Sequence, residues 1–176
     1  ITGFSGLVNE NMYRFSGWRF LAFGRALERA DTLAAILLGF ADPEAPPGAV
    51  EIAVELGDSS MTHRRRFRGE PSPASAHDLL ACDPLNPRSI LFQLNEMVGI
   101  AANLPNKGPM LGPDTGPDTG PNLGREGRPS ELARVLLPLQ TGFAVADPAG
   151  IAPDQLGALR AALAQASDLL WSLYLR

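Results

Sequence analysis

The chain has 176 residues, of which 45% are hydrophobic and 19% are charged, and its net charge at neutral pH is -4. This length fits one large domain or two small ones, and the apolar fraction can form a core without disulfides or metal. The negative charge argues against nucleic acid as the main partner, and a single cysteine, Cys82, excludes an internal disulfide. No apolar run approaches the roughly 20 residues that span a bilayer, and no secretory signal opens the chain. We therefore expect a cytoplasmic domain with no membrane or nucleic-acid partner.

Proline and glycine divide the first half of the chain into predicted helices. The first is predicted from Ser16, which can cap it, to about Phe40, because apolar residues recur there every three or four positions. Prolines then end this helix and open the next, which is predicted from about Gly48 to Phe67. A short third helix is predicted from Pro73 to Ala81.

The second half continues the helical pattern around one irregular segment. Asn86-Pro87 predicts a helix start, a capping side chain followed by proline in the first turn, and this fourth helix ends before Pro105. A fifth helix, which Pro138 should kink or split, is predicted from Pro129 to about Asp147, and the last from Pro153 to Tyr174. No strand pattern with a period of two occurs. We predict a single all-α domain, a bundle of about six helices.

The segment Asn106–Pro129 has a different composition from the rest. It contains Gly-Pro-Asp-Thr twice in succession, at residues 112–115 and 116–119. Such units cannot form a helix and have little to bury, so a flexible Gly/Pro-rich loop is predicted. A functional lid is the alternative.

Two groups of arginines, and Arg88 separately, are candidates for ligand binding. Arg25, Glu28 and Arg29 share one face of the first helix and could hold an anion, although from spacing alone a salt-bridge ladder of small energetic value is favoured. Arg65 belongs to an arginine run at the end of the second helix. It is a candidate for binding a phosphate or carboxylate, against the alternative of a solvated helix end. Arg88 is predicted in the first turn of the helix capped by Asn86, where it could pair with Glu28.

No motif in the sequence indicates a metal, a cofactor or a catalytic nucleophile. His63 and His77 lack partners at metal-ligand spacing, so no metal site is assigned. Cys82 has no CxxC partner and no nucleophile motif around it. Glycine-rich phosphate loops, GxSxG elbows and HExxH motifs do not occur, and we expect no cofactor.

Four segments, taken together and in order, resemble the alpha-E family. They are Gly17-Trp18-Arg19-Phe20-Leu21 leading into the string GRALERA at residues 24–30, then Thr62–Phe67, Asp83–Ile90, and Phe92–Leu94. All lie before Asn106, and the later region carries almost no specific resemblance. The family is all-helical, and its members are typically longer and internally duplicated. The resemblance therefore implies that this chain corresponds to the C-terminal half and is a piece of a longer protein; processing of a short leader would equally explain a chain that starts at Ile1.

The resemblance also implies a biological setting. Relatives are encoded beside, or fused to, circularly permuted ATP-grasp proteins and transglutaminase-like proteins. This implies a role in a bacterial system that makes or modifies amide or peptide bonds, with such a protein as partner and a peptide or amino acid as ligand. The family brings no established catalytic residue, so none is assigned here.

Two hypotheses follow from these observations. The first, which is favoured, is an accessory helical module that binds an ATP-grasp partner or its peptide substrate without doing chemistry. The second is an enzyme domain in which Glu28 acts as acid or base while Arg25, Arg29 and Arg88 orient a carboxylate. Ligand binding or catalysis requires the charged side chains of the first helix to line a concave pocket, whereas a salt-bridge ladder predicts a flat surface.

Overall fold

The computed structural model describes Gly6, residues 10–13, 16–41, 45–104 and 130–174. Within these residues there are seven α-helices and no strand, which confirms the predicted all-α fold. The helices are α1 (Ser16–Phe40), α2 (Ala49–Leu56), α3 (Ser60–Arg66), α4 (Pro73–His77), α5 (Ile90–Ala101), α6 (Glu131–Val145) and α7 (Pro153–Tyr174). A π-helical turn, Asp78–Cys82, continues α4, and a 3-10 turn, Pro148–Gly150, precedes α7. The loop predicted over Asn106–Pro129 and the capping side chain predicted at Ser16 lie outside the described residues.

Four of the helices form the main bundle. α1 packs against α5 and α7, and α6 packs against the same two helices on the other side. Apolar side chains at helical spacing fill the centre, among them the buried Phe23, Ala30 and Leu37 of α1. Arg19, near the start of α1, donates from Nη1 to the carbonyl oxygen of Asn103, just beyond the end of α5, at 2.6 Å. The first and fifth helices are therefore antiparallel neighbours.

The predicted second helix is in fact two helices, which corrects that prediction. α2 ends at Leu56, and Asp58 has a φ of 49°, in the left-handed region, which breaks the helical path. The Ser59 hydroxyl donates to the Gly57 carbonyl at 3.0 Å and stabilises the turn. Gly57 itself lies against the buried Leu80, so close that a side chain has no room there.

The start of α5 is also different from the prediction. Ser89, not Asn86, caps the helix: its hydroxyl accepts from the Phe92 amide at 3.0 Å and donates to the Asp83 carbonyl. The Asn86 side-chain amide donates to the Leu79 carbonyl at 2.8 Å, while its oxygen accepts from the Arg88 amide at 3.0 Å. Asn86 therefore organises a turn before the helix, and Arg88 lies in this turn rather than in a helical one.

α6 begins with the Ser130 side chain accepting from the Ala133 amide at 3.1 Å. Pro138 does not split the helix, which continues to Val145. Pro138 is exposed and therefore lies on the solvent side of α6.

Two buried histidines make the fold sensitive to acid. Burial lowers the pKa of both His63 and His77 from the usual 6.5; for His77 a hydrogen bond from Nδ1 to the Pro148 carbonyl, at 3.2 Å, partly opposes this. The unfolded chain therefore takes up these protons at a higher pH than the folded chain. The stability that depends on neutral histidines is fully present above pH 6.5, and it is lost as the pH falls through the lower folded pKa values.

We expect the free energy of unfolding to fall below pH 6.5, with a slope of at most about 1.4 kcal/mol per pH unit for each histidine. Urea denaturation at several pH values measures this slope. His77→Gln should reduce it, while the exposed Arg134→Gln, which changes no histidine, should leave it unchanged. An equal slope in wild type and His77→Gln would contradict the assignment to His77.

Candidate functional site

The charged face of α1 borders a groove, here called the Glu28 groove. It is a cavity of about 300 Å³ lined by Glu28, Arg29, Thr32, Leu33, Ile36, Leu56, Gly57 and Arg88. The α1 residues recur at spacings of one, three and four, so they form one wall along a single side of the helix. The opposite wall comes from the end of α2 and the turn before α5.

The groove is charged at the rim and apolar along α1. Glu28, Arg29 and Thr32 are exposed, whereas Leu33 is buried and Ile36 is partly buried one to two turns further on. Leu56 at the end of α2 leaves 55% of its surface exposed. A ligand in this groove therefore meets charges of both signs and an aliphatic surface.

The predicted pair between Glu28 and Arg88 is not formed, although both line the groove. Arg88 Nη2 instead lies 2.7 Å from Oδ2 of Asp58. The physical reason is local: the break after α2 presents Asp58, and the Asn86 turn holds Arg88 beside it. With 52% and 72% of the two side chains exposed, this pair contributes little to stability. Glu28 and Arg29 make no hydrogen bond or ion pair within the described part of the chain.

A second cavity, the Trp18 groove, lies next to the first. It measures about 330 Å³, and its lining includes Trp18, Arg25, Arg29, Gln93 and Glu96. Arg29 borders both grooves, and of these two grooves Arg25 lines the Trp18 groove. Arg25, Glu28 and Arg29 therefore line concave surfaces rather than a flat ladder, although not one shared pocket.

Arg65 is not part of either groove. It is exposed on α3, and its neighbour Arg66 makes the contacts. Arg66 Nη2 lies 3.1 Å from Asp78 and Nη1 lies 2.7 Å from Asp83. One arginine of the run therefore connects α3 to the segment before α5 through two salt bridges. Spacing alone could not select Arg66, because Asp78 and Asp83 approach it only in the folded chain.

The sequence pattern that defines Alpha-E, described as "a predicted alpha-helical domain with a conserved ER motif", matches residues 1–175. This chain belongs to the Alpha-E family. Glu28-Arg29 is the only Glu-Arg pair in the sequence. The family's motif in this Alpha-E domain is therefore the pair of opposite charges at the rim of the Glu28 groove.

Relatives of this Alpha-E domain occur in mycobacteria. Uncharacterized proteins of Mycobacterium tuberculosis, in strains H37Rv and CDC 1551, and of Mycobacterium bovis are each 30% identical to it over 135 residues. The match covers 74% of this chain but 15% of each relative. No solved structure matches the chain.

The described residues offer little to a metal ion or to thiol chemistry. In the described residues, no three His, Cys, Asp or Glu side chains come together as metal ligands would. Burial, followed by the charges of Asp78 and Asp147, raises the pKa of Cys82 to about 11, so at neutral pH the thiol is protonated and a weak nucleophile. None of the helices in the described ranges combines the length and apolar character needed to cross a bilayer.

Proposed function

We propose that this Alpha-E domain is a binding module that holds an amino-acid or peptide ligand in the Glu28 groove and performs no chemistry itself. The observation that supports this most strongly is that Glu28, Arg29 and Arg88 all line one cavity of about 300 Å³. A volume of this order suits a small organic ligand, and convergent polar groups on an apolar wall are what orient such ligands.

The proposed setting is a cytoplasmic bacterial system that makes or modifies amide or peptide bonds. Its partner would be an ATP-grasp-type or transglutaminase-like protein, as the family resemblance implies. Forming an amide joins a carboxylate to an amine, and the groove offers Arg29 for the first group and Glu28 for the second. A module that binds such a ligand would deliver it to the partner's active site.

Reconstitution with an ATP-grasp protein from the same genome tests this proposal. We expect the domain to increase ligand-dependent ADP release by the partner and to release no ADP by itself. Glu28→Gln should reduce the increase, while Glu51→Gln, an exposed glutamate of α2 outside the groove, should not. Partner activity that is unchanged by the domain at ligand concentrations too low to saturate the partner would rule out the delivery role.

A second candidate function is catalysis by Glu28. It is favoured by one observation: the Glu28 carboxylate borders the cavity and, within the described residues, no hydrogen bond or ion pair occupies it. Such a carboxylate is available to accept a proton from a bound ligand. If the domain alone converts the ligand, and Glu28→Gln stops conversion while binding persists, this function replaces the binding module.

A further inference from the structure

Resting on the proposed function, we infer that the Glu28 groove recognises an ammonium and a carboxylate group together, on an amino acid or short peptide with an aliphatic side chain. Recognition of both groups begins with the two side chains of the ER motif. Glu28 and Arg29 are consecutive, so their side chains leave the helix about 100° apart and do not face each other. Opposite charges that neither pair together nor pair elsewhere in the described chain remain available for a ligand.

The charge of the groove selects a dipolar ligand. The guanidinium of Arg88 is already compensated by Asp58, at 2.7 Å. The remaining lining charges are one carboxylate, Glu28, and one guanidinium, Arg29. A simple anion such as phosphate would be attracted by Arg29 but repelled by Glu28. A simple cation would be attracted by Glu28 but repelled by Arg29. A ligand with both groups satisfies both side chains, with Arg29 donating to its carboxylate in the two-bond geometry that guanidinium favours.

The apolar wall selects the ligand's side chain. Leu33 and Ile36 lie four and seven residues beyond Arg29, which places them about 6 and 10 Å along the helix axis. Leu56 completes this surface from α2 and is 55% exposed, so a bound aliphatic group would cover it. A single amino acid with its carboxylate on Arg29 reaches the nearer position. A dipeptide, at about 3.5 Å per residue, reaches the farther one.

Titration of the ¹⁵N-labelled full chain with defined compounds tests this inference. The probes are leucine, N-acetyl-leucine (which lacks the ammonium), leucinamide (which lacks the carboxylate), glycine and leucyl-leucine. We expect shifts around residues 28–36, 56–57 and 88, and a Kd for leucine or leucyl-leucine about tenfold lower than for either blocked analogue, since one charge-assisted hydrogen bond commonly contributes that much. Tighter binding of leucyl-leucine assigns the natural ligand to peptides, and tighter binding of leucine to free amino acids.

Single substitutions should remove each preference separately. Glu28→Gln should bind leucine and N-acetyl-leucine equally, and Arg29→Gln should bind leucine and leucinamide equally. Leu56→Ala should reduce the preference for leucine over glycine. Glu51→Gln and Arg134→Gln, which change exposed charges outside the groove, should keep all three preferences.

The outcomes separate this inference from the proposed function. If a blocked analogue binds in the groove as tightly as leucine, the dipolar recognition is wrong although a binding module remains. If Glu28→Gln or Arg29→Gln keeps its preference, the assignment of that group is wrong. If no probe shifts the groove residues, the proposed function fails together with the inference.

Discussion

Phe143→Ala is expected to lower the free energy of unfolding by about 3–5 kcal/mol, the usual cost of removing a buried phenylalanine. Phe143 is 2% exposed in α6, where it belongs to the core shared with α5 and α7. The substitution removes the ring's contacts and leaves a cavity that closely packed helices cannot fully close. A domain of this kind has a total stability of about 5–15 kcal/mol, so the loss is a large fraction of it.

Val145→Ala provides the matched control. Val145 lies two residues later on the same helix and is 78% exposed, so its substitution should change stability by less than about 0.5 kcal/mol. Urea denaturation followed by circular dichroism measures both variants against the parent chain. A small effect of Phe143→Ala would show that α6 is not an integral part of the bundle.

Phe143 lies after Asn106, in a region that contains none of the four family-like segments although the Alpha-E pattern, which matches residues 1–175, covers it. The four family-like segments all precede Asn106, yet α6 and α7 contribute fully buried side chains to the same core, including Leu136 and Leu159. Apolar residues at helical spacing can be replaced by one another while the bundle is kept. The apolar pattern of this region therefore specifies the fold without a short motif of the kind found before Asn106.

The long helices could be predicted from sequence because their signals are local. α1 and α7 have the predicted bounds, Ser16–Phe40 and Pro153–Tyr174, since apolar periodicity and flanking residues both lie within the segment. The start of α5 could not be chosen this way. Asn86 and Ser89 both have capping side chains, and only the folded chain brings the Leu79 carbonyl to Asn86 and leaves the cap to Ser89.

The candidate site could likewise be predicted only where its signal is local in the sequence. Helical spacing predicts Arg25, Glu28 and Arg29 on neighbouring positions of α1, and the structure divides them between two grooves that both include Arg29. The second wall of the Glu28 groove could not be predicted, because Leu56 and Gly57 reach it only through the break between α2 and α3. The same break presents Asp58, which is why Arg88 binds Asp58 rather than Glu28.

Gly57 lies at the break between α2 and α3, and its substitution tests how closely the chain passes Leu80 there. Gly57→Ala is expected to cost about 1–3 kcal/mol, the usual penalty for overpacking. A Cβ there would lie 2.6 Å and 3.0 Å from the two methyl groups of Leu80 and 3.2 Å from the Ala53 carbonyl oxygen. Leu80 is fully buried, so its side chain has little freedom to move away. The φ of Gly57 is -73°, which alanine adopts readily, so the cost would come from packing and not from the backbone.

A double-mutant cycle with Leu80→Ala isolates that contact. Leu80→Ala alone should cost about 2–5 kcal/mol as a buried leucine, but it removes both methyl groups that Gly57→Ala would strike. In that background Gly57→Ala should therefore cost less than about 0.5 kcal/mol, so that the two changes are strongly non-additive.

Gly99→Ala is the control for the glycine change itself. Gly99 lies within α5, and no atom lies near the position that a Cβ would take there. Alanine at this position should therefore stabilise the protein by about 0.5–1 kcal/mol. Additive costs in the cycle would mean that Leu80 does not explain the glycine. If the contact is confirmed, Gly57 is required because the chain must pass Leu80 closely before it turns at Asp58, and this passage places Leu56 and Gly57 opposite the ER motif.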